Sequence, residues 1–126
     1  MDNEDVELIA HLMRRASFGA RRDDIEAYAV KGYEATVEEL LTPVDSQWLG
    51  DDMGRRFDNE ASGMINPPGS ARNWVYRMIS TDAPLQEKIA LFWHGIFATG
   101  VQKVINGRVL SDQIGMFRRH GTDRFD

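Results

Sequence analysis

Pro84-Leu85-Gln86-Glu87-Lys88-Ile89-Ala90-Leu91-Phe92-Trp93-His94-Gly95-Ile96-Phe97 is the stretch that decides the fold. Set at 100° per residue, Leu85, Ile89, Phe92, Trp93 and Ile96 cover one broad side, and Ala90 and Phe97 widen it. Glu87 and His94 fall together on the other side, beside Leu91 and Ala98. A helix that is apolar over so much of its girth is expected to be buried at the centre of a domain. Ionisable groups sunk in it then need a partner, a ligand or a task, because an unpaired buried charge is costly. Glu87 and His94 are seven residues apart, about 10 Å along the axis, so each is expected to find its own partner.

Helical periodicity extends outward on both sides of this segment. Towards the amino terminus, residues 3–18 place Val6, Ile9, Met13 and Ala16 on one stripe, residues 23–31 stop at Gly32, and residues 33–41 end at Thr42-Pro43. Residues 43–69 carry Pro43, Gly50, Gly54, Gly63, Pro67-Pro68 and Gly69 and no period, which predicts a long irregular loop. A helix over 71–79 follows Ser70 as cap, the central helix is expected over about 83–99, and a last one over 108–120 puts Val109, Leu110, Ile114, Met116 and Phe117 on one face. Strand-like alternation is absent. The expectation is an all-α fold, a single domain over 1–126 of about six helices around a central buried helix.

Composition excludes several functions. The chain has 126 residues and net charge −5, divided as −8 over residues 1–63 and +3 over residues 64–126, so neither part is basic enough to argue for nucleic acid. Without cysteine there is no disulfide, thiolate nucleophile or cysteine-bound metal. Met1-Asp2-Asn3-Glu4-Asp5 is acidic where a secretory leader is basic, and no apolar run approaches the ~20 residues of a membrane span. As written the chain is expected to be soluble and cytoplasmic, with no membrane or nucleic-acid partner. Phosphate loops, dinucleotide fingerprints, nucleophile elbows and paired zinc-protease histidines are all missing.

The candidate site is therefore the polar stripe of the central helix. For Glu87 the structural reading is a buried ion pair with Arg14, Arg15 or an arginine of the last helix. Arg15 is preferred because it borders the apolar stripe beside Leu8. The functional reading makes Glu87 a general base or metal carboxylate. His94 reads as a core histidine or as a ligand. Gln113 and His120 project within the apolar face of the last helix, so Glu87, His94 and His120 would form a divalent transition-metal set if the two helices packed side by side. No cofactor is predicted, and the metal is the alternative. The aromatic residues Trp74, Phe92, Trp93 and Phe97 read as core. The arginine pairs Arg14-Arg15, Arg21-Arg22, Arg55-Arg56 and Arg118-Arg119 read as solvated or salt-bridged surface.

Three segments resemble a bacterial family catalogued as domain of unknown function 1800: His11-Leu12-Met13-Arg14-Arg15-Ala16-Ser17-Phe18-Gly19, Pro84 through Lys88 with Phe92-Trp93-His94 and Phe97, and Gln113 with Arg118-Arg119-His120. The resemblance implies that the chain is the amino-terminal part of a larger family domain, that relatives are often exported, and that later helices complete any active site. It implies no reaction. The leading expectation is thus a helical scaffold or interaction module, or truncated fragment, with a structural polar centre at Arg15, Glu87, His94, Gln113 and His120. The alternative is part of an enzyme with Glu87 and His94 as catalytic candidates. Apolar surface left uncovered predicts a homo-oligomer.

Overall fold

Every regular element in the computed structural model, which describes residues 3–42, 67–100, 102–104 and 107–124 (backbone alone at 67–70 and 107–108), is a helix. In chain order these are α1 (Asn3–Ala16), α2 (Arg22–Lys31), α3 (Tyr33–Leu41), α4 (Pro67–Ser80), α5 (Pro84–Ile96) and α6 (Gly107–His120). The fold class is all-α. The loop expected over 43–69 lies outside the described residues as far as 66. Its last three residues instead open α4. Pro67-Pro68 reads as a breaker, yet a proline in the first helical turn forfeits no intrahelical bond, so α4 starts ahead of Ser70.

Local rules account for the first three helices. Glu4 and Asp5 in the first turn of α1 and Arg14 and Arg15 in its last complement the helix dipole, while Ile9, Met13 and Ala16 form its buried stripe. The chain leaves α1 through buried Ser17, whose hydroxyl donates to the Met13 carbonyl (2.5 Å) and accepts the Gly19 amide (3.2 Å). Gly32 joins α2 to α3 at φ 97°, a backbone angle that favours glycine. Beside it, fully buried Thr36 donates to the Gly32 carbonyl at 2.8 Å. Helices α1, α2 and α3 pack against one another.

Helix α5 is the hub of the molecule, packing most extensively on α6 and also touching α4, α1 and α3. It is, however, rolled about its axis relative to the expectation of a broad buried apolar side. Its buried residues are Glu87 and Ala90, whereas Phe92 is 58% and Ile96 55% exposed. The roll brings Glu87 onto Arg77 and Arg118, the arrangement a buried carboxylate needs because leaving its charge unpaired is strongly destabilising. The helix turns its acid to the partners.

Candidate functional site

Glu87 sits in the first turn of α5 and is 1% exposed. Its Oε1 accepts Arg77 Nε from α4 at 2.8 Å and Arg118 Nε from α6, and its Oε2 accepts Trp74 Nε1 and Arg118 Nη2, each at 3.0 Å. Arg118 thus grips both oxygens in a fork, the geometry in which a guanidinium binds a carboxylate most strongly. The four N–H groups occupy the roughly four acceptor positions of an ionised carboxylate. Nothing remains on Glu87 to take a proton from a substrate or to bind an ion without displacing one of these donors. One side chain therefore ties α4, α5 and α6 together.

Trp74 extends the arrangement along α5. While its indole N–H is committed to Glu87, its ring stands edge-on to His94, with centroids 5.2 Å apart at 84°. His94 Nδ1 is buried and has no hydrogen-bond partner. An orphaned ring nitrogen of this kind is the one unsatisfied group of the stripe, and it costs stability.

Two further contacts fasten α5 to its neighbours. Lys88 Nζ donates to the Ser17 carbonyl at 2.9 Å and lies 5.0 Å from the centre of the Phe18 ring, joining α5 to the carboxyl end of α1, where the dipole favours a cation. Trp93 Nε1 donates to the Gly121 carbonyl at 2.8 Å just beyond α6. Gly121 is required by close approach, since a Cβ there would lie 2.6 Å from Ile89 Cγ2 and against the Phe117 carbonyl oxygen. The three segments quoted for the family resemblance thus meet in space, Ser17-Phe18 at Lys88 and Glu87 at Arg118.

The other residues expected at the centre lie elsewhere. Arg15, expected beside Glu87, is exposed on α1, as is Arg14, and the guanidinium groups that reach the acid come from α4 and α6. His120 faces solvent, where its Nδ1 meets the Asp123 carboxylate at 2.8 Å. The last turn of α6 gives its inward position to Arg118, and two residues on, the chain has rotated outward. Half-buried Gln113 accepts the Thr99 hydroxyl. Glu87, His94 and His120 do not form one ligand set, and among the described residues no three His, Asp, Glu or Cys side chains gather around an ion site. Trp74 and Arg77 are the partners the sequence reading did not assign. Their three-residue spacing on one helix was a usable signal.

No helix among the described residues is long and apolar enough to cross a membrane. A family model described as "Protein of unknown function (DUF1800)" matches residues 11–126. No curated protein and no solved structure matches the chain.

Proposed function

This chain belongs to the DUF1800 family, and from that premise we propose that it acts as a helical scaffold presenting an interaction surface, with Glu87 as its structural lock. The observation that carries the reading is the saturation of the Glu87 carboxylate by Trp74, Arg77 and Arg118. An acid poised for catalysis keeps an oxygen within reach of substrate. This one spends both oxygens on holding three helices in register. The exposed aromatic surface of α5 supports the second half of the reading, because scaffolds bind through apolar anchors that stay open in the free protein.

Amide hydrogen exchange on the Glu87→Gln variant tests it. The lock predicts that α4 and α6 lose protection together while α2, remote from the acid, keeps it. Unchanged protection in α4 and α6 would overturn the structural role.

The orphaned Nδ1 of His94 favours one second reading, a site that takes up a polar or metallic ligand at the imidazole. Calorimetric titration with zinc or nickel ions distinguishes the two. Saturable binding that disappears in His94→Ala supports the ligand reading, and heat indistinguishable from dilution supports the scaffold alone.

A further inference from the structure

We draw no further inference here: the strongest candidate, the exposed apolar patch of Leu91, Phe92, Ile96 and Phe97 on α5, carries none because nothing in the structure shows what covers it.

Discussion

Replacing Glu87 by glutamine preserves shape and removes one charge, so it isolates what the carboxylate does. An amide presents one oxygen where the acid presents two, and its NH2 group then faces an N–H donor from Arg77, Arg118 or Trp74. The Arg77 and Arg118 side chains are 22% and 17% exposed, so both lose their carboxylate in a poorly hydrated setting. Breaking a buried pair from one side costs about 3–5 kcal/mol, and the residual exposure of both arginines places the expected loss at the lower end, about 3 kcal/mol. For a chain of this length a kcal/mol corresponds to about 4 °C in the melting temperature, so the transition should fall by ~12 °C. Urea unfolding followed by tryptophan emission gives the free energy, and a thermal scan by circular dichroism gives the shift. A Glu87→Gln protein within ~0.5 kcal/mol of the parent, the range of an ordinary surface change, would refute the reasoning. The matching control is the triple change Glu87→Met, Arg77→Met, Arg118→Met, which removes every charge and should regain much of the loss.

Other expectations follow from the contacts around the centre. His94→Phe keeps the edge contact with Trp74 and discards the unpaired nitrogen, so stability should rise by about 1 kcal/mol in urea unfolding; a fall would show that Nδ1 has a partner in solution. Lys88→Met loses the bond to the Ser17 carbonyl and the charge over Phe18, for an expected decrease of about 1–2 kcal/mol measured by thermal scan. Gly121→Ala forces a methyl against Ile89 and Trp93; the strain should be about 1–3 kcal/mol and should shift the indole emission, and an unperturbed spectrum would contradict the close approach. Burial, and then the Glu39 carboxylate, hold the Tyr28 phenol above its ordinary value. Its contribution to stability is thus complete below the unfolded phenol value of about 10 and is lost as pH rises through the folded value, so unfolding free energy should decline in that alkaline range and decline less in Tyr28→Phe.

Among the described residues, the order and approximate limits of the helices are written in the sequence because they depend on near neighbours. The Ile9, Met13 and Ala16 stripe, the stop at Gly32 and the proline in the first turn of α5 act within a few residues of themselves. The same locality marks Glu87 as a buried acid in need of a partner. Which partner it takes, and how α5 is rolled, are decided only by tertiary structure. Arg77 and Arg118 are 10 and 31 residues away in the chain, on different helices. Arg15 was as eligible as either by sequence but lies on the solvent side of α1. Periodicity assigns the wide apolar side of α5 to the core because it weighs area alone. In the folded chain two guanidinium groups and an indole converge on one carboxylate, and α5 turns that acid inward while Phe92 and Ile96 stay exposed.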